Sequence, residues 1–195
     1  VQNVLVYDLG GGTFDATVLS MSGGDCRVLA TAGDNSLGGV DFDRILLEEA
    51  VAALESELGP GALTGDPFLL QQAADLTERA KIELSTRESA SVVLPFAGRA
   101  GRSHPTWRID RGHFESLIAA HIGRTLELVE KAVGEAELRL EDVHRLVLSG
   151  GSSRIPLVRR RLAELFGKEG ESRVNPEEVV AAGAAVYTAL SSGNL

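Results

Sequence analysis

An α/β body interrupted by an α+β insertion is the fold class predicted by three features of the sequence. Two glycine-rich turns, Asp8-Leu-Gly-Gly-Gly-Thr-Phe-Asp15 and Ser149-Gly-Gly-Ser-Ser-Arg154, each follow a short apolar strand pattern. The chain opens on strand patterns alone and closes on a strand followed by helices. Between these ends, helices precede a short hairpin, in a stretch bounded by Gly38-Gly39 and by a helix start near Asp110. Residues 1–38 and 114–195 are therefore expected to form one α/β body from the two ends of the chain. Residues 39–113 are expected to form the inserted α+β subdomain.

The elements follow in order. Asn3 to Tyr7, Thr13 to Met21 and Arg27 to Ala32 carry strand patterns, joined by the first glycine turn and by Ser22-Gly-Gly-Asp25, which predicts an antiparallel meander. Leu37-Gly-Gly-Val-Asp41 breaks that pattern. From Asp41 a helix is expected, with Phe42, Ile45, Leu46, Ala50, Ala53 and Leu54 at helical spacing. Gly59-Pro-Gly61 ends it. Asp66-Pro67 starts the next helix, with a capping carboxylate and a proline at the first helical position, and this helix runs to about Leu84. Ser91 to Phe96 and Thr106 to Ile109 predict a hairpin. Phe114, Leu117, Ile118, His121, Ile122, Thr125, Leu126, Val129 and Val133 then mark one face of a long amphipathic helix. A strand over Arg145 to Leu148, the second glycine turn and a helix over Ile155 to Phe166 come next. Asn175-Pro176-Glu177-Glu178 starts a last helix, expected to reach Leu190.

Apolar residues make up 44% of the chain and charged residues 24%, as in ordinary globular domains. The net charge of −9 argues against nucleic acid and anionic membrane surfaces as partners. No signal peptide is visible, and the longest apolar stretch, Val179 to Leu190, is too short to span a bilayer. The lone Cys26 excludes an internal disulfide and fits a reducing, cytoplasmic setting; its strand pattern predicts a packed thiol. His104, His113, His121 and His144 have no metal-ligand spacing. The chain enters a buried-type strand within its first residues, so it is expected to be a piece of a longer protein.

The first turn holds more glycine than a two-residue hairpin needs for its positive φ angles. Glycine also lets main-chain N–H groups approach a phosphate closely, because no Cβ intervenes. On that reading the amides of Gly10 and Gly11 face phosphate oxygens. Asp8, at a strand end, can hold Mg²⁺ through its water shell, Thr13 offers a hydroxyl near the terminal phosphate, and Asp15 braces the turn. A flexible hairpin loop is the plain alternative. Gly150-Gly151 is a commoner kind of connection, and its value is that Ser152, Ser153 and Arg154 lead into a helix N-terminus, which favours an anion. Glu78, Lys81 and Ser85 fall at i, i+3 and i+7 and share a helix face; a solvated face explains that trio equally well. Arg159-Arg160-Arg161 is simplest as another.

Asp8 to Asp15, Leu37-Gly-Gly-Val-Asp-Phe-Asp43, Glu78-Arg-Ala-Lys-Ile-Glu-Leu-Ser85, Leu148-Ser-Gly-Gly-Ser-Ser-Arg-Ile-Pro156 and Asn175-Pro-Glu-Glu-Val-Val-Ala-Ala-Gly-Ala-Ala185 together resemble the DnaK-type heat-shock chaperones in order and spacing. The resemblance runs essentially the whole chain and is to the second lobe of that family's actin-like ATPase domain. It implies a mixed sheet with flanking helices, the two subdomains IIA and IIB, and ATP or ADP with Mg²⁺ as ligands. It places Gly10, Gly11 and Thr13 around the β- and γ-phosphates and Asp8 at the magnesium, with Asp8 and Thr13 the catalytic pair. Glu78 and Lys81 match residues on the ribose hydroxyls, and Ser85 one on the adenine. Gly150, Gly151 and Ser152 match the adenosine turn, and Arg154 an arginine lying flat on the base.

Four departures stand out, the first being a hairpin from Ser91 to Ile109 shorter than in typical members. Ile82 offers an apolar surface near the base where some members carry arginine, Glu177 stands where aspartate follows Asn-Pro, and Val40 replaces an acidic residue. The resemblance also implies partners. These are a first lobe and a substrate-binding domain of the same protein, unfolded polypeptides, a J-domain co-chaperone and a nucleotide-exchange factor that grips the hairpin edge of the insertion. Hydrolysis would then switch affinity for polypeptide. Two other readings stay open: a non-catalytic module that binds an exchange factor, and a lobe of another actin-like ATPase or of a sugar kinase.

Overall fold

The computed structural model describes residues 1–23, 25–95 and 104–171. In chain order the elements are β1 (Gln2–Leu9), β2 (Phe14–Ser22), β3 (Asp25–Asp34), α1 (Gly39–Leu58), α2 (Pro67–Leu84), β4 (Ser89–Val93), β5 (Thr106–Asp110), α3 (Arg111–Glu135), β6 (Arg145–Ser149) and α4 (Pro156–Phe166). The helix expected from Pro176 lies outside the described residues, as do Phe96 and most of the loop behind it. By packing, the chain divides into Val1–Gly39 with the chain from His121 onward, and Val40–Ala120.

In the first unit β1, β2 and β3 form the expected antiparallel meander, and β6 runs parallel to β1 on its other side. The result is a mixed sheet of order β3-β2-β1-β6. Beyond β6, Glu171 forms a parallel bridge with Val147, and Arg145 holds its carboxylate with two hydrogen bonds, at 3.2 and 2.7 Å. Alternation along β1 sends Leu5, Tyr7 and Leu9 into the core, all fully buried. Tyr7 meets Phe14 with ring centroids 4.8 Å apart and tilted by 57°. The Tyr7 hydroxyl pairs with Thr125 Oγ1 on α3 at 2.7 Å, and Thr125 in turn donates to the Ile122 carbonyl. Burial pushes the Tyr7 phenol well above its usual range, and the bond to Thr125 only partly offsets that.

Cys26 departs from expectation: its thiol is exposed. β3 is an edge strand, and Asp25, Cys26, Arg27 and Val28 are all exposed at its outer end. Apolar strand composition predicts pairing there correctly, but no described element covers either face.

The second unit is built on the buried side chains of Phe42, Leu46, Leu54, Leu63, Leu84, Val92 and Phe114. Asp66 caps α2 as the sequence predicts, accepting from the amides of Phe68 and Leu69, with Pro67 in the first turn. The connection before it is organised by Glu55 of α1. That carboxylate accepts from the amides of Gly61, Leu63 and Thr64 and from the Thr64 hydroxyl, at 2.8–3.1 Å. β4 and β5 pair antiparallel from Ser89–Asp110 to Val93–Thr106. Arg111 ties that hairpin to α2 through the Leu84 carbonyl and the Glu88 carboxylate. Among the described residues no helix is long and apolar enough to cross a membrane.

Candidate functional site

Both glycine turns stand at the same edge of the same sheet. β1 and β6 are parallel neighbours, with Asp8 opposite Ser149, so the chain leaves the two strands side by side, at their carboxyl ends. In open α/β sheets the crevice beyond those ends is where ligands are held. The turns are also bonded to each other: Ser152 Oγ donates to the Gly10 carbonyl at 3.1 Å.

Steric demand separates the glycines into two kinds. Gly150 has φ +79°, and a Cβ there would lie 2.2 Å from the Leu9 carbonyl oxygen and 2.7 Å from Asp8 Oδ1. At Gly38 an added Cβ would lie 2.6 Å from the Gly11 carbonyl oxygen, and the Gly39 amide donates to the Gly10 carbonyl at 3.0 Å. These two glycines are required by the chain's own packing. Gly10, Gly11 and Gly12 are different. None has a positive φ, and a Cβ at Gly11 or Gly12 would meet nothing within 4 Å. The first turn is closed by the Gly10 amide on the Thr13 carbonyl at 3.0 Å, with Gly11, Gly12 and Thr13 exposed. No contact within the described residues requires glycine at Gly11 or Gly12.

Around these turns, Asp8 is half-buried, with Oδ1 turned toward Gly150. Asp15 Oδ1 lies over Gly33 on β3. The second turn does not pass directly into α4: Gly151–Arg154 forms a single 3₁₀ turn and α4 starts at Pro156. Ser152 and Ser153 are buried, and their hydroxyls serve main-chain carbonyls, Ser153 that of its own turn at Gly150. Arg154 is exposed at the end of this turn. An open depression of about 500 Å³ beside α4, lined by Arg159, Arg160, Ala163, Glu164, Glu169 and Gly170, shares no residue with either turn.

Glu78, Lys81, Ile82 and Ser85 belong to the second unit. Lys81 Nζ donates to Asp43 Oδ2 at 2.7 Å, a half-buried ion pair between α2 and α1. Burial raises the Asp43 carboxyl above its usual range; Lys81 opposes that, and the Glu78 charge adds to it. The other oxygen, Asp43 Oδ1, is buried without a hydrogen-bond partner. Glu78 is exposed, Ser85 caps the end of α2, and Ile82 is 61% exposed, a large apolar side chain left facing out. Glu177 lies outside the described residues. Asp43, Gly38 and Ser149 were not singled out as site residues from sequence. The signals were present, as a second carboxylate two residues after Asp41, a glycine pair outside any hairpin, and a serine at a buried strand end.

Among the described residues no cluster of histidine, cysteine, aspartate or glutamate could by itself hold a metal ion. What stands at the strand ends is one carboxylate, Asp8, beside two glycine turns, a set that could hold a cation only together with a ligand bringing its own anionic oxygens.

The family model described as Hsp70 protein matches residues 1–195. The chain is 40% identical over 194 residues to the "Chaperone protein DnaK" of Thermosipho melanesiensis, covering 98% of this chain and 32% of that protein. It is 43% identical over 195 residues to the protein of the same name from Thermotoga neapolitana, and 42% identical to that of Thermotoga maritima, covering 98% of this chain and 33% of each relative. The chain thus spans about a third of the length of the curated relatives it matches.

Proposed function

The chain belongs to the Hsp70 family, and on that premise we propose that it is the second, ATP-binding lobe of a DnaK-type chaperone ATPase. The bodies expected at residues 1–38 with 114–195 and at residues 39–113 are then subdomains IIA and IIB, with the division by packing falling after Gly39 and before His121. The observation that carries this reading is the pair of bonded turns at one sheet edge, whose exposed glycines answer to no demand of the chain's own packing.

In this reading the Gly11 amide takes the β- and γ-phosphate oxygens, while Gly10, whose own amide is engaged by the Thr13 carbonyl and not free as the sequence reading expects, lines the turn without a side chain. Gly150, Gly151 and Ser152 border the adenosine. Glu78 and Lys81 hold the ribose hydroxyls, with Asp43 keeping Lys81 in place. Ser85 and the flat of Arg154 bound the base, Ile82 adds apolar surface there, and Glu177 completes the set. Asp8 holds Mg²⁺ through water, which its half-buried position at the strand end fits. When bound, Mg²⁺ supplies charge neutralisation on the phosphate oxygens. Thr13 positions its hydroxyl near the terminal phosphate. Catalysis by these residues is positioning and charge stabilisation rather than covalent chemistry.

In the whole protein, a first lobe completes the site, and ATP hydrolysis switches a substrate-binding domain between states of different affinity for unfolded polypeptide. A J-domain co-chaperone and a nucleotide-exchange factor are its partners, and the compartment is the cytoplasm. In the full-length protein, Asp8→Asn and Thr13→Ala are each expected to lower the single-turnover hydrolysis rate by about 10²-fold or more. ATP affinity, measured by calorimetry, should fall by less than about tenfold. Equal losses in both quantities would contradict the roles given to these two residues.

A further inference from the structure

The side chain of Ser149 is unexplained by the roles above. It is 2% exposed, at the last position of β6, and its hydroxyl is buried with no hydrogen-bond partner. Its neighbours Ser152 and Ser153, also buried, both place their hydroxyls on carbonyls. Buried hydroxyls are nearly always paired, and leaving one unmade costs the desolvation of that group. A packing role would be filled better by alanine or valine. An unpaired hydroxyl held at a ligand-facing strand end instead suggests a partner that arrives with the ligand.

Geometry indicates which group that partner is. Ser149 and Asp8 are register partners on adjacent parallel strands, so their side chains leave the same face of the sheet, on chains about 4.8 Å apart. The Asp8 carboxylate is turned toward Gly150, the residue directly after Ser149. A staggered χ1 rotation is enough to redirect a serine hydroxyl. We propose that Ser149 is a positioning residue for Asp8: when a nucleotide with its divalent cation occupies the turns, the Ser149 hydroxyl donates to the Asp8 carboxylate and holds it toward the cation's water shell. The inference rests on the ATP reading above and deepens it.

The test uses the full-length protein with Ser149→Ala and Ser149→Thr, and compares ADP affinity in Mg²⁺ with ADP affinity in EDTA by calorimetry. Ser149→Ala should lose about 5- to 10-fold of the Mg²⁺-dependent gain, the worth of one positioned hydrogen bond. Its affinity in EDTA should stay within about twofold of wild type. Ser149→Thr, which keeps the hydroxyl, should retain the gain. The nucleotide-free Ser149→Ala protein should melt no lower than wild type, because the hydroxyl it loses has no partner in that state. A merely structural serine would show the reverse: a lower Tm and an unchanged ratio of the two affinities. An unchanged ratio in Ser149→Ala, with wild type binding ADP normally, overturns this inference alone. Failure of the wild-type protein to bind nucleotide overturns the ATP reading and this inference with it.

Discussion

At the scale of single residues, the two glycine turns answer to different constraints. Gly150 is held by backbone geometry: its φ of +79° is strained for any residue with a Cβ, and the Leu9 carbonyl already occupies the space a Cβ would take. The positive φ alone costs about 1–3 kcal/mol, and the clash adds to it. Gly150→Ala is thus expected to lower the chemical denaturation midpoint markedly, whereas Gly11→Ala and Gly12→Ala should leave it nearly unchanged. The Tyr7–Thr125 pair gives a second, asymmetric case. Tyr7→Phe leaves Thr125 still donating to the Ile122 carbonyl, so the loss is about 1 kcal/mol, one net hydrogen bond. Thr125→Val leaves a buried phenol with no partner and should cost about 1–3 kcal/mol. Urea titrations of the two variants should rank in that order.

At the scale of elements, the connection from α1 to α2 depends on one carboxylate. The Gly61, Leu63 and Thr64 amides hold the Glu55 carboxyl down to about 2, with the amides of Thr64 and Gly61 contributing most. A carboxyl lowered in the folded state stabilises it fully above its unfolded value, and the contribution is lost as pH falls toward the folded value. The stability gap between wild type and Glu55→Gln should therefore be constant near neutral pH. It should close between about pH 4.5 and about pH 2. A gap that widens in acid would contradict the assignment. The sequence marks Glu55 as one more charge on a helix, because nothing in its spacing shows that the chain folds back onto it. Asp66, by contrast, is legible, since a cap and the proline after it act within one turn.

At the scale of the whole molecule, the chain is about a third of the length of its curated relatives. On the proposal that a first lobe completes the site, the chain by itself supplies the two glycine turns and Asp8 but not the opposing wall. The isolated chain is then expected to bind ATP at least about 10²-fold more weakly than the full-length protein and to show almost no hydrolysis. Robust turnover by the isolated chain would overturn that view of the molecule. Calorimetry and a phosphate-release assay on the same preparation distinguish weak binding from absent chemistry.

The local signals were enough to place most elements. The apolar runs of β1, β2 and β6, the Asp66 cap of α2 and the 3.6-residue stripe of α3 each depend on residues a few positions apart. For the same reason the sequence determined that two glycine turns follow strands. Only the tertiary structure decided that those strands are parallel neighbours, that Ser152 bonds the turns together, and that Gly150 and Gly38 are packed while Gly11 and Gly12 stand free. It also left Cys26 exposed and Ser149 unpaired. Each of these depends on which distant segment lies alongside, and pairing across more than a hundred residues leaves no periodicity in the chain that makes it.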